Sequence, residues 1–283
     1  MPEIHNLMNK ELEYIDSKKG REMLTVDGLR SIQESLEAGR TYGRPDSIEI
    51  GCNPARIHGR LGSGGTKEVY DVEIGNQRYA VSVPGACKDP ERLTSLWWSS
   101  LGEPDVSRKF RELGLLVNNL SEVVRGRVNG IPFPLLIMGR YEDQELPVYD
   151  SKNSHGNRNP LVSEDTHITR EGFLSLCKMP VEDVAVVVRN GIMIDGDSFN
   201  YAQSNEGDSN GIFFMDFGNA EFLQLTRAGR RDSAKLYAGS AIDAVMASFG
   251  RTYGKNKSLQ ALDRRETREE IQQTLTQRVL ERV

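Results

Sequence analysis

Residues 195–218 read DGDSFNYAQSNEGDSNGIFFMDFG, and the rest of the chain is best read outward from them. Residues 200–203 and 212–215 form two short β-prone runs joined by the polar stretch SNEGDSNG, the pattern of a hairpin. Asp195 and Asn200 stand at the two ends of a short loop before the first run. At that spacing a carboxylate can accept a hydroxyl proton while an amide oxygen serves a hard cation. Turns use the same residue types for local hydrogen bonds, so this spacing alone is weak. Asp216-Phe217-Gly218 closes the stretch. Composition would place D-F-G somewhere in about one of twenty such chains, and an apolar strand directly before it makes an accident rarer.

Upstream, Leu61 to Tyr70 read LGSGGTKEVY. Gly62, Ser63, Gly64 and Gly65 form a tip of small residues between two strands, so backbone N–H groups can approach phosphate oxygens without a Cβ in the way. A strand rather than a helix follows these glycines, which disfavours a dinucleotide fingerprint. Strands are predicted over 57–61, 68–74 and 77–83, the last two joined by Gly75-Asn76. Pro104 opens a predicted helix whose apolar face runs through Val106, Phe110, Leu113, Val117 and Leu120. Strands 123–128 and 131–138 flank Asn129-Gly130, a strong short hairpin signal. Helices are expected within 1–40, over 170–178 and 181–189, and at the C-terminus, where Leu262, Ile271, Leu275 and Val279 share a stripe.

In this order, the Gly-rich hairpin, the Asp–Asn loop and the strand-borne D-F-G resemble the protein kinases. The resemblance implies an α+β, bilobal fold with a five-stranded antiparallel N-lobe sheet, one helix in that lobe, and a reduced helical C-lobe. Residues 1–50 would be a helical extension, 51–141 the N-lobe, and 142–283 the C-lobe with its C-terminal helix. It also implies ATP and Mg²⁺, with the phosphates under Gly62, Ser63, Gly64 and Gly65. Asn200 and Asp216 would hold the metal, and Asp195 would orient the acceptor hydroxyl. Met138 falls in a stretch, 136–141, that resembles the hinge where backbone groups meet adenine.

The match has departures. The strand that usually carries V-A-I-K reads Tyr79-Ala80-Val81-Ser82 here, and the lysine position is Ser82. Lys67 stands where a third glycine is common, which resembles the with-no-lysine kinases, whose phosphate lysine arrives from the neighbouring strand. A flexible four-carbon stem makes either route physically workable. Glu112 is the expected partner of that lysine, with Glu103 as the alternative. Met193-Ile194 replace the usual His-Arg before the catalytic Asp, and no A-P-E follows D-F-G. These features are similar to compact bacterial effector kinases. The expected activity is ATP- and Mg²⁺-dependent phosphoryl transfer to Ser/Thr hydroxyls of a protein. A catalytically dead scaffold, a small-molecule kinase and a nucleotidyl transferase are the alternatives. Gly196-Asp197-Ser198 also resembles a serine-esterase block, but the last histidine, His167, precedes Ser198, and no downstream base follows.

Composition narrows the partners. Lys+Arg number 36 against 41 Asp+Glu, a net charge of −5, which argues against a broad nucleic-acid surface. No apolar run approaches the roughly 18 residues of a membrane span, and the acidic start does not read as a signal peptide. Three cysteines, Cys52, Cys87 and Cys177, without a C-x-x-C suggest buried thiols in a reducing compartment. A cytoplasmic protein is expected, delivered into a host cell if the effector likeness holds. The N-terminal helices would be the docking place for an activating partner.

Overall fold

The computed structural model describes Arg30 and residues 45–51, 53–63, 67–84, 101–118, 120–140, 148–149, 166–203, 210–215, 220–249 and 254–283. The expected N-terminal stripes, Gly64, Gly65, Asp216, and nearly all of 149–160 lie outside them. In chain order the strands and helices are β1 (Ile48–Ile50), β2 (Asn53–Ser63), β3 (Lys67–Ile74), β4 (Gln77–Pro84), α1 (Glu103–Glu112), β5 (Leu116–Val117), β6 (Ser121–Val128) and β7 (Ile131–Met138). They continue with β8 (Val148–Tyr149), α2 (Arg170–Leu176), α3 (Lys178–Arg189), β9 (Ile192–Met193), β10 (Phe199–Gln203), β11 (Asn210–Phe214), β12 (Glu221–Phe222), α4 (Arg227–Ser248), α5 (Lys257–Leu262) and α6 (Arg265–Leu280). Two compact units divide the chain. One comprises Met1–Ser107 with Asn118–Gln144, the other Arg108–Val117 with Glu145–Val283.

The first unit is a closed antiparallel barrel in the order β1-β2-β3-β4-β7-β6. This corrects the expected five-stranded sheet. Three residues make the difference: Ile48–Ile50 pair with β2 on one side and with β6 on the other. The Asn129-Gly130 turn is what guides that strand in. Both residues take positive φ, 53° and 79°, as a type I′ turn requires. The Asn129 carboxamide oxygen then accepts from the backbone N–H groups of Asp46 at 2.7 Å and Ser47 at 3.1 Å. A hairpin turn thus doubles as a clamp on the incoming chain. At the β1–β6 contact a side chain has no room, since a Cβ on Gly126 would lie 2.6 Å from the Glu49 carbonyl oxygen. Inside the barrel, Ile48, Ile50, Tyr70, Val72, Val81, Val124, Val128, Phe133, Leu135 and Ile137 form the core. Their alternation along each strand leaves Lys67, Val69 and Asp71 of β3 on the outer face.

Helix α1 ends at Glu112 rather than continuing through Leu120. Gly114 adopts φ 77°, and its N–H donates to Arg111 O at 3.0 Å while Leu115 N–H donates to Phe110 O at 3.0 Å. Those two bonds make a Schellman stop, which glycine favours because the position is left-handed. Leu116 and Val117 therefore belong to a strand, β5, that pairs in parallel with β11.

The second unit packs α2–α6 around a sheet ordered β5-β11-β10-β8. Its central helix, α4, presents small buried residues, Ser233, Ala234, Ala238, Ser240, Ala241 and Ala244, beside Tyr237, Ile242 and Val245. Small side chains let neighbouring elements approach its axis closely. Phe214 at the end of β11 meets Phe110 and Phe199 edge-on, with ring centroids 5.1 and 5.2 Å apart. Cys177 is buried, and burial pushes its thiol up to about 12, so it is a packing residue rather than a nucleophile. No helix among the described residues is long and apolar enough to cross a membrane.

Asp183 on α3 anchors β11 from the side. Its Oδ2 accepts from Ile212 N–H at 2.7 Å, and burial, opposed by that bond, pushes its carboxyl up to about 7. The unfolded value is about 3.9, so between these pH values the folded protein keeps a proton that the unfolded chain releases. The stability tied to that proton is complete below pH about 4 and is lost as pH rises through about 7. Asp183→Asn keeps an oxygen for Ile212 and cannot ionise. Thermal melts from pH 5 to 8 are expected to show a smaller decline in the variant than in the parent. Equal slopes would remove Asp183 as the cause.

Candidate active site

In the barrel unit, the outer face of β3 and β4 carries Lys67, the predicted phosphate lysine, and Ser82. Lys67 opens β3 and is buried, and its Nζ forms an ion pair with Oε1 of Glu103, also buried, the first residue of α1. A carboxylate is well placed at a helix N-terminus, where the dipole favours negative charge. Glu112, the glutamate expected from sequence, is instead exposed, with Lys109 at 3.5 Å. The early end of α1 explains the difference. Leu116, whose inward packing would fix the face of Glu112, is not on the helix at all.

Val69 lies opposite Ser82 in the β3–β4 register, and Lys67 opposite Pro84. Lys67 and Ser82 therefore share one face as diagonal neighbours, a separation of about 7–8 Å between Cα atoms. Ser82 is fully buried, and its hydroxyl has no hydrogen-bond partner among the described residues. An orphaned hydroxyl beside a buried lysine is a costly arrangement for a purely structural surface. Leu136 of β7 faces Ser82, and Met138 faces Ala80, so both belong to the same face. Arg78, on that face too, donates its Nε to Asp71 Oδ1 at 3.1 Å, and Arg140 Nε lies 3.7 Å from the same oxygen.

Around Gly62, two register shifts between Ile57 and Gly62 disturb the β2–β3 ladder, which increases local twist toward the Gly-rich tip. Ser63 is the last residue of β2. A Cβ on Gly62 would meet nothing within 4 Å, so open space lies beside the backbone there. The hinge-like stretch is held by a residue that sequence reasoning missed. Asn118 donates its amide to Gly139 O at 2.8 Å, and its oxygen accepts from Gly139 N–H at 3.2 Å and Leu120 N–H at 3.1 Å. Both polar backbone groups of Gly139 are thereby engaged within the chain. Nothing in its local pattern distinguishes Asn118 from a loop asparagine; its role follows from a partner 21 residues away.

In the helical unit, Asp195 is exposed at the start of a single 3₁₀ turn, Gly196–Ser198, and its side chain caps nothing. The turn is closed by Ser198 N–H donating to Asp195 O at 3.1 Å. Ser198 O in turn accepts from Met215 N–H at 3.1 Å, which ties the Asp195 loop to the residue before Asp216. Asn200 is on β10 opposite Phe213. It is buried, and its amide nitrogen has no partner among the described residues. A buried amide donor without a partner is uncommon in a residue that only packs. Among the described residues no cluster of three His, Cys, Asp or Glu side chains forms a metal site. Asn200 supplies an oxygen of the type Mg²⁺ prefers, and Asp216, the other expected ligand, lies outside the described residues.

The loop before Asp195 is fastened on both sides. β9 pairs with β12, placing Met193 opposite Glu221 and Ile192 opposite Phe222. Gly191 has φ 64°, and a Cβ there would lie 1.8 Å from Leu223 O; only glycine fits. From α4, the Tyr237 hydroxyl reaches the same loop, another contact not legible in the sequence.

No protein-family model matches this sequence, and no curated protein matches it. Solved structures similar to the chain include WaaP in complex with acyl carrier protein, at 11% identity over 94% of this chain and 99% of that one, TM-score 0.40. The ROP18 kinase domain in complex with AMP-PNP and sucrose is 16% identical over 95% and 97%, TM-score 0.45. The PknI kinase domain of Mycobacterium tuberculosis is 13% identical over 81% and 96%, TM-score 0.34.

Proposed function

We propose that this chain is an ATP- and Mg²⁺-dependent phosphotransferase built on a protein kinase-like plan, with its phosphate lysine at Lys67. The observation that carries the reading is the buried Lys67–Glu103 ion pair on the face that also holds Ser82. The paired glutamate holds the ammonium on that face, where it offsets charge on the α/β-phosphates under the Gly62–Gly65 tip. Asp195 accepts the proton of the acceptor hydroxyl, and its exposure suits a group that must meet a second substrate. The Asn200 amide oxygen and the Asp216 carboxylate would hold Mg²⁺, which neutralises charge on the phosphates when bound. Positioning and charge neutralisation would supply most of the rate enhancement.

The acceptor is a hydroxyl, and a protein Ser/Thr is the first class to test. A small-molecule hydroxyl is favoured by one feature. β12 is followed closely by Thr226, whose side chain caps α4 by accepting from Gly229 N–H at 3.1 Å. That leaves little chain after Met215 on which to seat an extended peptide. Incubation of the protein with γ-labelled ATP and Mg²⁺, separately with lysate proteins and with the small-molecule fraction, distinguishes the two by where the label goes. Mg²⁺-dependent transfer to either is the expected result. ATP-induced thermal stabilisation without transfer to either fraction would replace this reading with that of a nucleotide-binding scaffold.

A further inference from the structure

Helix α4 lies beneath the loop that carries Asp195 and touches it at three successive positions of one face. Ser233 Oγ approaches Met193 Sδ at 3.5 Å. One turn on, the buried Tyr237 accepts from Ile194 N–H through its Oη at 2.9 Å and donates its own hydroxyl proton to Ile192 O at 3.2 Å. A further turn on, Ser240 Oγ would lie 3.0 Å from a Cβ built on Gly196. Phe199, just past the loop, packs on the Tyr237 ring at 5.3 Å between centroids.

We infer that Tyr237 is the positioning residue for Asp195, holding the backbone on its N-terminal side through one hydroxyl that both accepts and donates. The inference rests on the phosphotransfer reading for its catalytic consequence, though not for its geometry. A phenol suits this place for a chemical reason. The loop presents one N–H and one C=O to be satisfied, and a neutral hydroxyl serves both, whereas an ionised carboxylate only accepts. A carboxylate would also put a second negative charge near Asp195, raising the cost of the charge that Asp195 must carry. Burial, opposed by the bond from Ile194 N–H and assisted by the Asp195 charge, raises the proton affinity of Tyr237, which keeps the donating form in place. Tyr237 touches neither substrate nor metal in this scheme; it acts through the direction in which Asp195 points.

The test uses the full-length protein in three forms: parent, Tyr237→Phe, and a variant with 3-fluorotyrosine at position 237 alone. Tyr237→Phe is expected to lower single-turnover transfer about tenfold or more with ATP affinity changed less than about twofold. Amide exchange of residues 192–196 should speed up about tenfold, because Ile194 N–H loses its acceptor. The fluorinated phenol keeps the shape and is more acidic, so its alkaline loss of transfer should come at lower pH than in the parent. An active parent with an equally active Tyr237→Phe variant would overturn the inference. If Tyr237→Phe does not fold, an unmoved alkaline limb in the fluorotyrosine protein overturns it instead. If the parent transfers no phosphate, the proposed function fails, and the exchange measurement decides alone: unchanged exchange at 192–196 means that Tyr237 does not hold the loop.

Discussion

Lys67→Ala is expected to damage both stability and phosphate transfer, and a second variant separates the two. Lys67 and Glu103 are both buried and joined as an ion pair. Breaking a buried ion pair by removing one partner typically costs about 3–5 kcal/mol. For a unit of this size that lowers the melting temperature by about 10–20 °C. Replacing both partners with apolar residues of similar volume, Lys67→Met with Glu103→Leu, removes the charges together and should recover most of the loss. Transfer should not recover. If the ammonium stabilises phosphate charge in the transition state, its loss costs about ten- to a hundredfold in rate, as charged hydrogen bonds do. A stable double variant with parental single-turnover rates would reduce Lys67 to a structural residue. Another double variant asks whether the position or only the charge matters. Lys67→Gly with Ser82→Lys returns an ammonium to the same face from the adjacent strand, where the β3–β4 register makes the two positions diagonal neighbours. Partial recovery of transfer relative to Lys67→Gly alone is expected.

The same pair shows how far the sequence could be read. The nearness of Lys67 to Ser82 was legible because each sits at a definable place relative to a turn, Gly62–Gly65 for one and Gly75-Asn76 for the other. Hairpin turns transmit register, so two strands beyond a turn can be aligned by counting. The glutamate could not be counted in this way. Its identity depends on where α1 starts and stops, and the apolar spacing of Leu113, Val117 and Leu120 imitates a helical face beyond the residue at which Gly114 ends it. Strand β1 was missed for a different reason. Three residues, Ile48–Ile50, are too short to show periodicity, and their place is enforced from elsewhere by the Asn129 side chain. Asn118 and Tyr237 belong to the same class: each acts on backbone groups far away in the chain, and neither carries a local signature. Local turns and motif order were legible; contacts made by one side chain across long sequence separations were not.

Asp195→Asn is expected to produce a large fall in rate with almost no change in structure. The Asp195 side chain is exposed and caps nothing, and the loop geometry around it is carried by backbone bonds and by Tyr237. The melting temperature should therefore match the parent. An amide cannot take the acceptor's proton, so transfer should fall about 10²–10⁴-fold, the range typical of lost general-base catalysis. ATP binding should persist if the group serves the acceptor rather than the donor, as proposed. Asn200→Ala and Asp216→Ala test the other role and should behave differently. If each contributes an oxygen ligand, as proposed, each should weaken ATP binding in the presence of Mg²⁺ while changing little in its absence, and Asp216→Ala should abolish Mg²⁺-dependent turnover. Titration calorimetry with and without Mg²⁺, beside single-turnover transfer, reads both patterns at once. The discriminating outcome is the ATP affinity of Asp195→Asn. If it falls in proportion to the rate, Asp195 acts on the nucleotide or its metal, and the acceptor's proton must be taken by another group. If affinity holds while transfer is lost, the carboxylate acts where the two substrates meet.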